Sequence, residues 1–274
     1  MHRFFIPPDW IEGEKVVIEG QKAHQIRNVL RLRPGDHILV LDDSGWEREV
    51  EIVEIGHAKV IGRVVKRGLS HSEPRTKVSL YQGVLKGRRF EFVLQKGTEL
   101  GIVEFIPMIC ERCIIADMED VSKKAERWRR IISEAAEQSG RGKLPKLQPA
   151  MLFQQACERA MRSEGLSIML WEGERRKSLR SLLGDRAAEE MRELRKLMGL
   201  QSFPSPHGPR PFSVNLFIGP EGGFTLGEAE LARNYGIIPI TLGPRILRAE
   251  TASIVATAAI LYELGDLEFV RRRK

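Results

Sequence analysis

Cysteine is scarce in this chain of 274 residues, which holds only Cys110, Cys113 and Cys157. Three scattered thiols cannot build a disulfide framework and suit a reducing compartment, with the cytoplasm as the default expectation. No secretory start is expected either. Met1 to Pro8 holds one early arginine but no continuous apolar run and no small-residue cleavage site. No apolar stretch approaches the roughly 20 residues that a bilayer-spanning helix needs, so no membrane partner is expected. There is no Gly-Lys-Ser/Thr phosphate loop, no G-x-G-x-x-G fingerprint and no internal repeat. The lone C-x-x-C of Cys110 and Cys113 lacks a second ligand pair, so no metal is expected and the cysteines read as ordinary thiols.

Basic charge is what the chain has in excess. Its 44 Lys and Arg against 37 Asp and Glu leave a net charge of +7 and a pI near 9.4. That balance favours a polyanionic partner without identifying it. Acidic residues are also plentiful, which excludes a histone-like tail.

The grammar of the chain changes once. Val16–Glu19, His37–Leu41, Glu49–Ile55 and Lys59–Val65 are β-branched runs separated by glycine turns, and they predict a small β-barrel. One helix interrupts them over Gln21–Arg31, with Ile26, Val29, Leu30 and Leu32 on its apolar face and Arg27, Arg31 and Arg33 on or beside its solvated flank. Gly68 to Arg75 reads as a linker. Beyond it, apolar strands at Val78–Val84, Val103–Met108, Leu166–Trp171, Val214–Ile218 and Ile237–Leu242 alternate with helical stretches. The expectation is a mainly parallel sheet with helices on both faces. One of those helices, Ser122–Ser139, lines up Ala125, Trp128, Ile132 and Ala135 and stops at Gly140, while its other face carries Glu134, Gln138 and, just past the end, Arg141. The charged helix expected over Arg175–Leu197 and the Pro-rich loop from Gly199 to Pro211 read as an insertion, about 175–211, of low catalytic weight.

Two turns near the C-terminus carry the chemistry. Leu216-Phe-Ile-Gly-Pro-Glu-Gly-Gly-Phe-Thr225 is a buried strand that breaks into a glycine-rich turn and opens a helix at Thr225 or Leu226. Glycines 219, 222 and 223 free the backbone N–H groups for a ligand, although an ordinary strand-to-helix turn reads the same way. Ile240-Thr-Leu-Gly-Pro-Arg-Ile-Leu-Arg-Ala-Glu-Thr-Ala252 follows one strand later and leads into an apolar helix over Ser253–Leu264. Neighbouring parallel strands end on the same side, so the two turns are expected to face one another across a crevice. Arg245, Arg248 and Glu250 sit there, either for a ligand or as a local salt bridge and helix start.

The motif pair LFIGPEGGFT and LGPRILRAETA resembles the SPOUT methyltransferase signature, in the version of the RsmE family of 16S rRNA uridine-N3 methyltransferases. MHRFFI at 1–6, HQIRNVLRLRPGD at 24–36, QKGTELG at 95–101, IPMICERC at 106–113, ERW at 126–128 and EAAEQSGR at 134–141 extend the likeness over nearly the whole chain. The ribose-methylating branch shares the glycine turn but has a Ser-Leu-Asn-type sequence in place of Arg-Ala-Glu-Thr, which favours base methylation. Cys110 and Cys113 stand where the family more often has Ser, and the 175–211 insertion is longer than the family's.

The resemblance implies an N-terminal PUA-like RNA-binding barrel over 1–72 and a SPOUT α/β domain with a deep trefoil knot over 73–274. It implies S-adenosylmethionine held by Leu216, Ile218, Gly219, Glu221, Gly222 and Gly223 of the first turn and by Leu242, Gly243, Ile246, Leu247 and Arg248 of the second. Arg248 or Arg245 would stabilise negative charge on the uracil and Glu250 would take its N3 proton. Arg3, Arg27, Arg31 and Arg33, with Glu134, Gln138 and Arg141, would meet RNA. The implied partners are 16S rRNA of the small ribosomal subunit, near its 3′ end, and a second copy in a homodimer. A non-catalytic RNA-binding or ribosome-assembly factor, and a methyltransferase acting on another RNA, remain as alternatives.

Overall fold

A computed structural model describes residues 1–114, 117–163, 165–184 and 213–268. They fall into two compact units, one of residues 1–73 with 132–144, the other of 74–131 with 145–274.

The first unit is a six-stranded barrel-like sheet. In chain order its strands are β1 (His2–Phe5), β2 (Ile11–Glu12), β3 (Lys15–Glu19), β4 (His37–Leu41), β5 (Trp46–Ile55) and β6 (Lys59–Leu69), and they lie in the order β1-β4-β5-β6-β3-β2. Only β1 and β4 run parallel; the other pairs are antiparallel, with bulges in β5 against β6 that bend the sheet. Strand alternation turns Val16, Ile18, Ile38, Val40, Val50 and Ile52 inward around Phe4 and Ile26.

The helix expected over 21–31 forms as α1 (Gly20–His24) and then widens into a π turn over Gln25–Val29. That turn is closed by the Leu30 N–H donating to the Gln25 carbonyl at 2.9 Å. Its extra residue per turn leaves Ile26 buried but turns Val29 outward to 64% exposure, so Val29 does not share the apolar face assigned to it.

The second unit is a seven-stranded, all-parallel sheet of β7 (Lys77–Gly83), β8 (Glu104–Ile109), β9 (Lys146–Leu147), β10 (Met151–Leu152), β11 (Leu166–Leu170), β12 (Ser213–Ile218) and β13 (Ile238–Ile240). Its main path runs β10-β8-β7-β12-β11-β13. Period-two alternation gives two buried faces. On one, Tyr81 stacks on Phe217 at 4.3 Å, and α5 (Phe153–Arg162) and α7 (Leu226–Asn234) cover them through Ala156, Ala160, Ala229 and Ala232. On the other, Val78, Leu80, Val214 and Leu216 are fully buried, and there α8 (Ala249–Glu263) packs on β7, β12 and α2 (Arg89–Leu100).

Helix α4 (Ala125–Ser139) has the expected stripe, with Trp128, Ile132 and Ala135 buried, and Gly140 ends it at φ +75°. A separate short helix, α3 (Met118–Ser122), precedes it. Of the expected helix over 175–197, α6 (Leu179–Leu183) is described. Its continuation from 185 and the Pro-rich loop lie outside the described residues.

Candidate active site

Both C-terminal turns open at the carboxyl rim of the parallel sheet, where helix N-termini and strand ends leave backbone groups for a ligand. β12 ends at Ile218, and Pro220–Gly223 makes a tight turn in which the Gly223 N–H donates to the Pro220 carbonyl at 2.9 Å. Gly223 takes φ +68°, open to glycine at little cost. Thr225 then caps α7, its hydroxyl accepting from the Glu228 N–H at 3.1 Å while Glu228 accepts from the Thr225 N–H at 2.9 Å. The carboxyl end of β7 closes in from beside the turn: a Cβ on Gly83 would lie 2.5 Å from the Pro220 nitrogen. Glycine is therefore required there by close approach.

In the second turn the Gly243 N–H donates to the Thr241 hydroxyl at 3.2 Å. The chain then exposes Arg245 and Ile246 and enters α8 with Arg248 as N-cap and Glu250 in the first turn. Negative charge is favourable at that end of a helix.

The two turns share one crevice of about 890 Å³, within the size range of small-ligand pockets. Ile218, Gly219, Glu221, Gly223, Leu242, Gly243, Ile246 and Leu247 line it, as do Arg245, Arg248 and Glu250. Leu216 is fully buried in β12 and Gly222 lies on the turn beside Arg112, whose guanidinium donates to the Gly222 carbonyl at 3.0 Å; neither of the two lines the crevice.

The turns do not end neighbouring strands. β11 runs between β12 and β13, so its continuation forms a third wall from Trp171, Glu172, Glu174 and Arg175. Glu174 rigidifies that wall by accepting from the N–H groups of Arg176 at 2.8 Å, Lys177 at 3.3 Å and Arg175 at 3.0 Å, which hold its carboxyl below the usual range. None of these residues is among those expected at the site from sequence: a strand ends at Trp171 with no site placed there, and Arg175 falls in the expected insertion. The signal was available: every parallel strand, including the one ending at Trp171, delivers its next residues to the same rim.

The polar groups of the crevice fit a cationic, donor-rich ligand. Glu221 Oε1 accepts from the Lys86 N–H at 2.9 Å and from Arg89 at 3.2 Å, whereas Glu221 Oε2 and Glu250 Oε2 are buried without a hydrogen-bond partner among the described residues. Buried carboxylate oxygens left bare are costly and invite a donor. S-adenosylmethionine, with its ammonium, sulfonium, hydroxyls and adenine amine, supplies that chemistry. Arg245 and Arg248 are exposed on the crevice, and neither is seen in an ion pair among the described residues.

The residues expected to meet RNA are dispersed. Arg31 and Arg33 are exposed in the loop after the π turn, Arg31 at φ +54°. Arg27 is partly engaged, donating to the Gly56 carbonyl at 3.2 Å, and Arg3 pairs with Glu47 at 3.1 Å. Glu134 and Gln138 are exposed one turn apart on α4. Arg141 is only 3% exposed, forked onto Glu73 by two bonds of 2.8 Å. The structure thus gives Arg141 a buried tethering contact in place of an exposed, substrate-facing position.

Cys110 and Cys113 close a turn, with the Cys113 N–H donating to the Cys110 carbonyl at 3.0 Å and the Cys110 N–H to Cys113 Sγ at 3.2 Å. All three cysteines are free thiols, and burial pushes Cys157 up to about 12.

Comparison with known proteins shows the family. Residues 71–261 match the family model of an RNA methyltransferase domain, and residues 18–65 match the PUA domain of RNA methyltransferases. Ribosomal RNA small subunit methyltransferase E of Bacillus subtilis is 32% identical over 267 residues, covering 96% of this chain and 97% of that protein. The crystal structure of the Neisseria gonorrhoeae enzyme of the same name, bound to S-adenosyl methionine, superposes with a TM-score of 0.78 at 29% identity, covering 96% and 97% of the two chains. A methyltransferase of Legionella pneumophila in complex with the same cofactor superposes with a TM-score of 0.77 at 28% identity, covering 95% and 96%. On the evidence of its motifs, its crevice and these relatives, the chain belongs to the family of ribosomal RNA small subunit methyltransferase E, with an RNA methyltransferase domain and a PUA domain.

Proposed function

We propose that the chain methylates N3 of a specific uridine near the 3′ end of 16S rRNA in the small ribosomal subunit, with S-adenosylmethionine as donor. The observation that carries this reading is a crevice lined by the two glycine turns, by Glu221 and Glu250, each with a buried carboxylate oxygen that has no hydrogen-bond partner among the described residues, and by the exposed Arg245 and Arg248. When bound, the cofactor supplies an activated methyl group. The backbone of residues 218–223 and 242–247 lines its seat, and the bare oxygen of Glu221 accepts from its cationic or hydroxyl groups.

Uracil N3 becomes nucleophilic only as its proton leaves. Glu250 is the base for that proton, having a buried oxygen with no hydrogen-bond partner among the described residues. Arg248 or Arg245 holds the negative charge that develops on O2 or O4. Holding both groups on one helix start and its turn supplies the orientation that the reaction needs.

Residues 1–72 act as the RNA-positioning domain, through the exposed Arg31 and Arg33 with Arg3, Arg27, Glu134 and Gln138 at its margins, and 73–274 as the catalytic domain. Two further features belong to the same reading. A deep trefoil knot in the C-terminal segments is part of it, by likeness to the family; from β13 at the sheet's edge the chain returns to α8, which packs on β7 and β12 in the middle. Helix α8 also presents Val255 and Tyr262, 43% and 70% exposed and seven residues apart, as an apolar face for a second copy in a C2 dimer. Among the described residues no helix is long and apolar enough to cross a membrane. The cytoplasm, where free thiols persist, is the compartment that suits this activity.

Mass mapping of methylated uridines in small-subunit rRNA, from cells with and without the protein, tests the proposal. One N3-methyluridine should vanish with the protein. An unchanged map would overturn the assignment.

A further inference from the structure

A buried amide lies behind the crevice and takes no part in the chemistry above. Gln82, next to last in β7, is 1% exposed. Its Nε2 donates to the carbonyls of Gly83 at 3.0 Å and Gly219 at 3.3 Å, and its Oε1 accepts from the hydroxyl of Ser253. Ser253 is itself fully buried one turn into α8, within reach of the Ala249 carbonyl at 2.8 Å, and Thr257 donates to the Ser253 carbonyl at 2.7 Å.

Placing an amide in the middle of an apolar sheet is costly unless each of its atoms is satisfied. Here both donors and the acceptor are used, and the partners stand on opposite walls. Gly219 begins the first turn. Ser253 lies three residues beyond Glu250 and five beyond Arg248, on the helix that the second turn opens. A leucine would fill similar volume without the desolvation cost, but it would tie neither wall.

We propose that Gln82 and Ser253 are a positioning pair that fixes the first glycine turn against the start of α8, and so sets the working width of the donor crevice. The pair touches neither donor nor uracil. It acts through the Gly219 carbonyl, which anchors the start of the first turn at Pro220, and through the first turn of α8, which aims Glu250. This inference rests on the crevice being the S-adenosylmethionine site.

The test uses full-length Gln82→Leu, Ser253→Ala and the double variant, with calorimetric S-adenosylmethionine affinity, KM for RNA, kcat and unfolding midpoints. Donor affinity should fall roughly tenfold in Gln82→Leu, about the effect of one disrupted buried hydrogen bond. KM for RNA should not move, and the double variant should bind the donor no worse than Gln82→Leu, because both changes cut one tie. Donor affinity equal to wild type in the folded single variants, or losses that multiply in the double variant, would overturn the pairing. Should Gln82→Leu not fold, Ser253→Ala decides by the same criterion. Wild-type protein that binds no S-adenosylmethionine would instead refute the crevice reading itself, and calorimetry separates the two failures.

Discussion

Arg141→Ala should destabilise the N-terminal unit while leaving RNA affinity intact wherever the variant remains folded. Arg141 is 3% exposed and its two bonds to Glu73, each 2.8 Å, form a parallel fork. Removing one partner of a buried pair typically costs about 3–5 kcal/mol. Glu73 keeps some exposure and two backbone donors, Gly142 N–H at 3.0 Å and Lys143 N–H at 3.2 Å. The loss should therefore lie at the low end, about 3 kcal/mol.

The same contact sets a pH dependence. Burial pushes the Glu73 carboxyl up, but the Arg141 guanidinium and the two backbone N–H groups outweigh it and hold the carboxyl below its ordinary 4.5. Its contribution is then complete above about pH 4.5 and is lost as pH falls through the lowered folded value. Urea unfolding of wild type and Arg141→Ala at pH 7 and pH 3 measures both effects: the gap between the two proteins should be wide at pH 7 and narrower at pH 3. A loss under about 1 kcal/mol at pH 7, the worth of a surface pair, together with weakened RNA binding, would refute the tethering role and restore Arg141 to the RNA-facing surface.

Further outcomes follow from the site. Glu250→Gln should lower kcat by roughly 100-fold or more with S-adenosylmethionine affinity little changed, as removal of a general base does; single-turnover methyl transfer measures it. Arg248→Ala should lower kcat by a similar factor if it holds the developing charge, and full turnover in that variant would shift the role to Arg245. Gly83→Ala should weaken donor binding, since its new Cβ would lie 2.5 Å from the Pro220 nitrogen and displace the first turn; calorimetry reads the change. Tyr262→Glu should shift sedimentation from dimer toward monomer if α8 is the dimer face.

Much of this fold was legible one element at a time. Strands β3, β4 and β12 and the stop of α4 at Gly140 follow from β-branched runs, alternation and glycine, which act within a few residues of themselves. The two C-terminal turns were legible for the same reason: glycines 219, 222 and 223 and the Arg245–Glu250 run mark them locally, and the family likeness rests on them. Where local geometry departed from the ordinary, periodicity failed. The π turn at Gln25–Val29 rotated Val29 out of the core that a regular helix would have given it.

What only tertiary structure decided concerns partners distant in sequence. Strand order is set by burial summed over the whole sheet, and it placed β11 between the two turn-bearing strands, bringing Trp171 to Arg175 to the crevice. Arg141 looks solvated beside the exposed Gln138, yet Glu73 lies 68 residues away in the chain and 2.8 Å away in space. Gln82 reads as one polar residue in an apolar strand until Gly219 and Ser253 meet it. A residue's chemistry is written in its own side chain, whereas its role depends on which distant groups satisfy it, and those are chosen by the packing of the whole domain.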